Sequence, residues 1–133
     1  MIPFGKTSIA RLSTCDERLQ RLFTRVNEKF TCTIICGERG KAEQDEAFRT
    51  GKSKLRYPAG KHNKTPSQAI DVMPDPVCWD ETAKNIEQLT LFAGYVLGVA
   101  NEMGINIRWG HDWDKDMKPD TRGLVDRPHY ELV

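Results

Sequence analysis

The chain has 133 residues, of which 38% are hydrophobic and 29% charged, and its formal net charge is +1. This composition is that of a soluble globular protein able to bury a core as one domain, residues 1–133, and it excludes a disordered chain. No apolar run reaches the roughly 18 residues of a membrane span, and residues 1–8 lack the apolar block of a secretory signal. We therefore expect a monomer that is synthesised in a cytoplasm and does not insert stably into a membrane.

The small net charge conceals a split between the two halves of the chain. Residues 1–66 carry 14 Lys and Arg against 7 Asp and Glu, whereas residues 67–133 carry 6 against 12. A basic face can attract an anionic polymer such as nucleic acid or bacterial cell wall. Alternatively, the two halves attract each other and keep solvated surfaces. No nucleic-acid-binding motif is present, so nucleic acid is not an expected partner.

The four cysteines form no CxxC pair and have no histidine at zinc-finger spacing; they are Cys15, Cys32, Cys36 and Cys78. In a chain without an export signal we expect reduced thiols in a core. A nucleophilic cysteine is the alternative, although no local sequence singles one out.

Three segments predict helices. The first, about 15–29, follows a capping-box pattern at 14–17 and repeats its apolar residues at helical spacing. Residues 41–49 are rich in helix formers. The longest, about 80–103, has a continuous apolar stripe and ends before Gly104, which suits a C-cap. These stripes are expected to face a core.

Four short segments predict strands. They are residues 31–36, 69–73, 105–109 and a last strand that begins near Pro128. We interpret these elements as an α+β fold in which helices pack on a small, largely antiparallel sheet.

Arg39 stands at the predicted turn between a strand and a helix, a place from which scaffolds often present functional side chains. An arginine there can clamp a carboxylate or stabilise an oxyanion, and the alternative is a solvated arginine. Residues 50–67 then form a basic, turn-rich loop of the kind that is usually functional or mobile.

Two histidines and two carboxylates suggest a zinc hydrolase. His62 and Asp71 are separated by a turn-rich loop, and His129 lies far downstream. Catalytic zinc takes three such ligands and leaves a fourth position to water. Asp126 adds a carboxylate three residues before His129. The two can face one site if residues 127–128 form a turn, whereas a plain strand would point them to opposite faces.

The same residues carry a family resemblance. The segments concerned are Gly60-Lys61-His62, Ser67-Gln68-Ala69-Ile70-Asp71 and Asp126-Arg127-Pro128-His129. They resemble the motifs of the D-alanyl-D-alanine carboxypeptidase and hedgehog-like zinc peptidases. A further run, Arg108-Trp109-Gly110-His111-Asp112-Trp113, with His129-Tyr130-Glu131-Leu132, resembles the phage endolysin branch, whose members are L-alanyl-D-glutamate peptidases. The resemblance extends from about Cys36 to Val133.

This resemblance implies that His62, Asp71 and His129 bind one catalytic Zn2+ and that Asp126 is the general base. The sequence departs from the family pattern at Gly60, where serine is common, and in a longer spacer between the first two ligands.

The resemblance also assigns residues to the substrate. It places Arg39 at the family's upstream arginine, which polarises the scissile carbonyl or holds substrate. It places Gln44 and Trp109 in substrate binding. His111 is not expected to be a ligand.

The implied function is hydrolysis of peptidoglycan stem peptides, at the L-alanyl–D-glutamate bond, during phage lysis of a bacterium. The enzyme would be made in the host cytoplasm and act at the wall or periplasm once the membrane is permeabilised. Two alternatives stay open, a D-alanyl-D-alanine carboxypeptidase with the same metal site and an inactive wall-binding module.

A second group of acidic residues follows in the loop after the third strand: Asp112, Asp114, Asp116 and Asp120. Calcium prefers several oxygen ligands, so a regulatory Ca2+ site is one interpretation and a solvated acidic loop is the other. Met117 occupies the position of the EF-hand glycine, which excludes an EF-hand.

Overall fold

A four-stranded sheet forms the centre of the fold. A computed structural model describes residues 2–133. Its strands are β1 (Cys32–Cys36), β2 (Ala69–Pro74), β3 (Ile107–Trp109) and β4 (His129–Leu132). Their order in the sheet is β1-β2-β4-β3, and each neighbouring pair is antiparallel. The predicted α+β class with an antiparallel sheet is confirmed.

Four helices pack around this sheet: α1 (Lys6–Leu12), α2 (Glu17–Asn27), α3 (Lys41–Arg49) and α4 (Ala83–Glu102). The sequence did not predict α1, because only Ser8 and Leu12 of its seven residues are buried and its apolar pattern is too short to register.

The predicted capping box before α2 is wrong in its details. The N-cap is Asp16, whose carboxylate accepts a hydrogen bond from the Arg18 backbone N–H. The Thr14 hydroxyl instead donates to the Arg11 carbonyl and accepts from the Glu38 backbone N–H. Thr14 therefore ties the end of α1 to the segment after β1.

The hydrophobic core lies between the sheet and helices α2 and α4. Phe23 from α2 and Phe92 from α4 both meet the ring of Tyr130 in β4 edge-on. Of the four thiols, all free, Cys15 and Cys32 are buried as predicted, whereas Cys36 and Cys78 are only half-buried. Burial raises the pKa of both to about 12, which argues against either as a nucleophile.

The two central strands of the sheet bring distant parts of the chain together. Asp71 of β2 pairs directly with His129 of β4, although 57 residues separate them. A short 3-10 turn, Lys61–Asn63, packs beside β2 and carries His62. Within residues 2–133 no helix combines the length and apolar character needed to cross a bilayer.

Candidate metal centre and its clefts

Three side-chain atoms converge at the junction of the 3-10 turn, β2 and β4. His62 Nε2, Asp71 Oδ1 and His129 Nδ1 are 3.3 Å apart in every pair. Atoms bound tetrahedrally to one zinc ion at about 2.0–2.2 Å lie about 3.3–3.6 Å from one another. The three atoms therefore match one face of a zinc tetrahedron, and the donor set fits the metal that the sequence predicted.

A backbone carbonyl orients His62. The ring Nδ1–H donates to the Gly37 carbonyl at 2.7 Å, which leaves the lone pair of Nε2 directed at the centre. Gly37 itself is packed so closely that a Cβ would overlap the Arg11 carbonyl and the Thr14 hydroxyl. The segment that holds His62 thus depends on a glycine at this position.

A carboxylate orients His129. Its Nε2–H donates to Glu131 Oε1 at 2.9 Å, so Nδ1 faces the centre with a free lone pair. The other oxygen of Glu131 lies 3.4 Å from Lys61 Nζ and 3.7 Å from Arg108 Nη1. The sequence analysis assigned Glu131 no role. One signal in the sequence could have found it. Glu131 lies two residues after the predicted ligand His129 on a predicted strand, and residues two apart on a strand share a face.

The three convergent groups shift one another's pKa values. Burial opposes ionisation of Asp71, but His62 and His129 hold the pKa of its carboxyl well below the usual range. Burial alone would lower the pKa of His62, yet the charge of Asp71 raises it to about 10. Burial likewise opposes charge on His129, and hydrogen bonds to Asp71 and Glu131 raise its pKa to about 9. Protons and metal ions therefore compete for the same nitrogens.

Asp126 approaches the centre without joining the triangle, with Oδ2 3.9 Å from His129 Nδ1. The His129 N–H donates to the Asp126 carbonyl, which closes a turn over residues 127–128, and β4 begins only at His129. The predicted turn is therefore present. Burial and the charge of Asp71 raise the pKa of Asp126 to about 6.

Arg39 is an ion-paired side chain rather than a solvated one. It is 16% exposed, and its Nη2 lies 3.4 Å from Asp71 Oδ2. Its Nη1 donates to Gln44 Oε1 at 3.1 Å. One oxygen of Asp71 thus faces the histidines while the other faces Arg39.

Gln44 is buried, and its amide hydrogen bonds are all made within the protein. Nε2 donates to Ser53 Oγ and to the Leu55 carbonyl, and Oε1 accepts from Arg39 and Asn63. Because an amide side chain offers two donors and two acceptor positions, these bonds use its full capacity. Gln44 therefore positions Arg39 and the loop at 53–55. Its direct contact with substrate stays a prediction.

Trp109, also predicted to bind substrate, lies in the hydrophobic core and is 4% exposed. Its indole N–H donates to the Arg127 carbonyl at 2.7 Å. This burial separates Trp109 from the clefts, and its contact supports the turn before His129 instead. His111 packs edge-on against Trp109 and is not one of the three converging donors.

The centre opens into two clefts. The first, of about 870 Å³, lies between the basic loop and the loop over 113–124, and the second, of about 490 Å³, lies beside the segment between β2 and α4. Arg39 and Asp126 line both. A substrate that crosses the centre can therefore extend to either side.

The acidic loop forms a second carboxylate cluster, in which oxygens of four aspartates lie within 4.8 Å of one another. Backbone amides of the same loop already bind these oxygens. Asp112 accepts from the N–H groups of Asp116 and Met117, and Asp120 accepts from that of Trp113. These bonds account for the shape of the loop, so the Ca2+ site stays a prediction.

Comparisons with known proteins agree with this geometry. The L-alanyl-D-glutamate peptidase of Escherichia phage T5 is 30% identical over 138 residues, which cover 98% of this chain and 97% of the relative. The crystal structure of Serratia marcescens L-Ala D-Glu endopeptidase ChiX matches with a TM-score of 0.73 at 26% identity, over 99% of this chain and 90% of that one. The fold and the candidate centre thus define a small α+β peptidase.

Within that class, a model of the phage L-alanyl-D-glutamate peptidase family matches residues 1–133. The chain belongs to the phage L-alanyl-D-glutamate peptidase family. The predicted family is confirmed.

Proposed function

We propose that this chain is a Zn2+-dependent endolysin that hydrolyses the L-alanyl–D-glutamate bond of peptidoglycan stem peptides. The observation that supports it most is the 3.3 Å triangle of His62, Asp71 and His129 beside Asp126. Two imidazoles and one carboxylate suit zinc and leave one coordination position free for chemistry. The full-length family match supplies the choice of bond.

The chain's own residues would divide the work of hydrolysis. A zinc ion held there would supply Lewis acidity for the scissile carbonyl and a lowered pKa for water. Asp126 takes a proton from the attacking water and passes it to the D-glutamate nitrogen as the C–N bond breaks. L-alanine then leaves as a carboxylate and D-glutamate as an amine. Arg39, at the junction of the clefts, holds Asp71 and faces the developing oxyanion.

Digestion of purified peptidoglycan tests the choice of bond. We expect new L-alanine C-termini and D-glutamate N-termini by mass spectrometry, lost after chelation and restored by zinc. Release of terminal D-alanine would instead identify a carboxypeptidase. An inactive wall-binding module would bind the wall without clearing a suspension of permeabilised bacteria.

The setting of the reaction follows from the same proposal. The enzyme is made in the host cytoplasm, acts as a monomer, and reaches the wall or periplasm after the membrane is permeabilised. The basic loop, with Lys52 and Lys54 exposed at the first cleft, suits a polymer that bears carboxylates.

Calcium binding by the acidic loop is a separate proposal. If Asp112, Asp114, Asp116 and Asp120 bind Ca2+, the thermal midpoint of the zinc-loaded protein rises during a calcium titration. An unchanged midpoint and unchanged activity would exclude this regulation.

A further inference from the structure

The two clefts differ in the chemistry of their walls. Lys54 and Arg122 line only the first cleft, and neither forms an ion pair within residues 2–133. The aspartates of the opposite wall accept hydrogen bonds from their own loop. These aspartates keep their charge, so the first cleft offers a bound chain the unpaired cations Lys54 and Arg122 together with an acidic wall.

The second cleft has an apolar floor and an exposed aromatic rim. Its floor includes Met73, Ile86 and Leu89. Trp79 lies at its edge in the segment between β2 and α4, and its side chain is 62% exposed. A large aromatic ring left in solvent beside a concave apolar surface is typical of a ligand-binding site.

Carboxylates accompany that tryptophan. Asp80 and Glu81 both line the second cleft directly after Trp79. They repel an anionic ligand and can accept hydrogen bonds from hydroxyl groups. An exposed indole face with hydroxyl acceptors beside it suits a neutral sugar ring, whose C–H face packs against an aromatic surface.

The order of groups in the substrate matches this asymmetry, and this step rests on the proposed function. The amine of L-alanine is joined to the lactyl group of N-acetylmuramic acid. The cleaved bond is therefore separated from the sugar by one extended residue, roughly 3.5 Å long, and by the lactyl group. On the other side, D-glutamate and the residues after it carry carboxylates. A bond held at the centre must therefore lie with a sugar on one side and an anionic peptide on the other.

We infer that the second cleft binds the N-acetylmuramyl sugar, stacked on Trp79, and that the first cleft holds the stem peptide from D-glutamate onward. The enzyme then recognises the junction of glycan and peptide rather than the peptide alone. Arg39 and Asp126, shared by both clefts, mark the point where the cleaved bond lies.

Two substrates separate the contributions of the clefts. One is N-acetylmuramyl-L-alanyl-γ-D-glutamyl-diaminopimelate, and the other is the same tripeptide with an acetyl cap in place of the sugar. We expect Trp79→Ala to reduce the ratio of kcat/KM for the sugar-bearing substrate over the capped peptide by about tenfold, mainly through KM. Trp79→Phe retains an aromatic face and should retain most of that ratio. Leu91→Ala, at a side chain that is also 62% exposed, is the matched control and should not change it.

A binding measurement makes the test independent of catalysis. We expect N-acetylmuramyl-L-alanine, which lacks the cleaved bond, to quench the indole fluorescence of the wild type, with most of the change absent in Trp79→Phe. The sugar site would be overturned if Trp79→Ala lowered kcat/KM equally for both substrates. It would also be overturned if Trp79→Ala left the kcat/KM ratio unchanged and Trp79→Phe left the quenching unchanged. If the wild type cleaves neither substrate yet its quenching depends on Trp79, the sugar site stands and the proposed peptidase activity fails.

Discussion

At the scale of single residues, Asp126 is separated from the metal ligands by its position. It lies 3.9 Å from His129 Nδ1, outside the triangle formed by the other three groups. We expect Asp126→Ala to keep its zinc content and to lose about 10²- to 10⁴-fold in kcat, because a proton carrier is removed and no ligand. Metal analysis measures the zinc content and steady-state kinetics measure kcat. Asp45→Ala, on the exposed face of α3, is the control. Joint loss of metal and activity would make Asp126 a ligand.

Arg39 contacts a ligand and also faces the clefts, so its two contributions need separate readouts. Arg39→Ala should reduce kcat by about 10²-fold, as expected when one oxyanion donor is lost, and reduce zinc content much less. Arg49→Ala, whose side chain is 71% exposed, controls for loss of a positive charge in this region. Normal turnover in Arg39→Ala would remove this residue from the chemistry.

Glu131 contacts the proposed metal centre only through His129. Removing its carboxylate in Glu131→Ala frees the ring of His129 to rotate or change tautomer, and we expect zinc affinity to fall about 10- to 100-fold. Competition with a chromophoric chelator measures that affinity. Glu17→Ala, at a surface carboxylate that is 82% exposed, should bind zinc as the wild type does. Equal affinities in the two variants would contradict a positioning role for Glu131.

The sequence predicted which residues converge more successfully than it predicted what each one contacts. His62, Asp71, His129 and Asp126 stood out because few other residue types can bind zinc or carry its proton. Trp109 and Gln44 were assigned to substrate because their positions matched a motif. Which face of a strand or helix turns inward depends on packing against distant elements, and here that packing buries both side chains.

At the scale of secondary-structure elements, the turn before β4 sets the position of Asp126. Gly110, after β3, packs so closely beneath that turn that a Cβ would overlap the Asp126 carbonyl. We expect Gly110→Ala to lower the free energy of unfolding by about 1–3 kcal/mol and to reduce activity, because the backbone must move. Chemical denaturation of the variant and of the wild type gives the two free energies of unfolding.

Gly94→Ala provides the matched control for that substitution. Gly94 lies on the exposed face of α4 with no atom within 4 Å of a built Cβ. Alanine there should stabilise the helix by about 0.5–1 kcal/mol. A Gly110→Ala protein as stable as Gly94→Ala would show that the turn tolerates a shift.

Long elements were easier to predict than short ones. The strong apolar period of α4 predicted residues 80–103, close to the observed Ala83–Glu102. By contrast, α1 went unpredicted, and Cys15 and Asp16, the first residues of the predicted 15–29 helix, pair with Ser67 instead. Such links are made by contacts between segments distant in sequence, which local periodicity does not contain.

At the scale of the whole molecule, metal binding is linked to protons. The metal-free protein has its His62 and His129 pKa values raised to about 10 and about 9, above the ordinary value of 6.5. The raised pKa values favour protonation of this pair at pH 7, and that protonation is lost as the pH rises through these values. His62 Nε2 and His129 Nδ1 lie 3.3 Å apart, so a proton on one nitrogen opposes a second proton on the other. Because zinc requires neutral imidazoles, we expect protons to be released when zinc binds at pH 7, and affinity to increase from pH 6 to pH 9.

Calorimetric titrations in buffers of different ionisation enthalpy count these protons. His129→Ala should show no comparable zinc-binding heat. If the wild type released almost no protons on binding zinc, the histidines would already be neutral in the metal-free protein.

The opposite charges of the two halves also have a physical consequence across the molecule. Three ion pairs join the basic half to the acidic half: Arg25–Glu102, Arg39–Asp71 and Lys61–Glu131. Part of the basic excess of residues 1–66 is thus paired with acidic residues of 67–133, as one interpretation of the sequence proposed. Lys52 and Lys54 remain at the cleft for an external partner.

The placement of β4 in the sheet has a consequence for biosynthesis. This strand lies between β2 and β3 but follows both in the chain, and it carries His129. A nascent polypeptide whose residues 129–132 are still inside the ribosome has neither a continuous sheet nor a full set of metal-binding groups. Under the proposed function, such an unfinished copy has no hydrolytic activity, and the protein becomes competent only after residues 129–132 have left the ribosome.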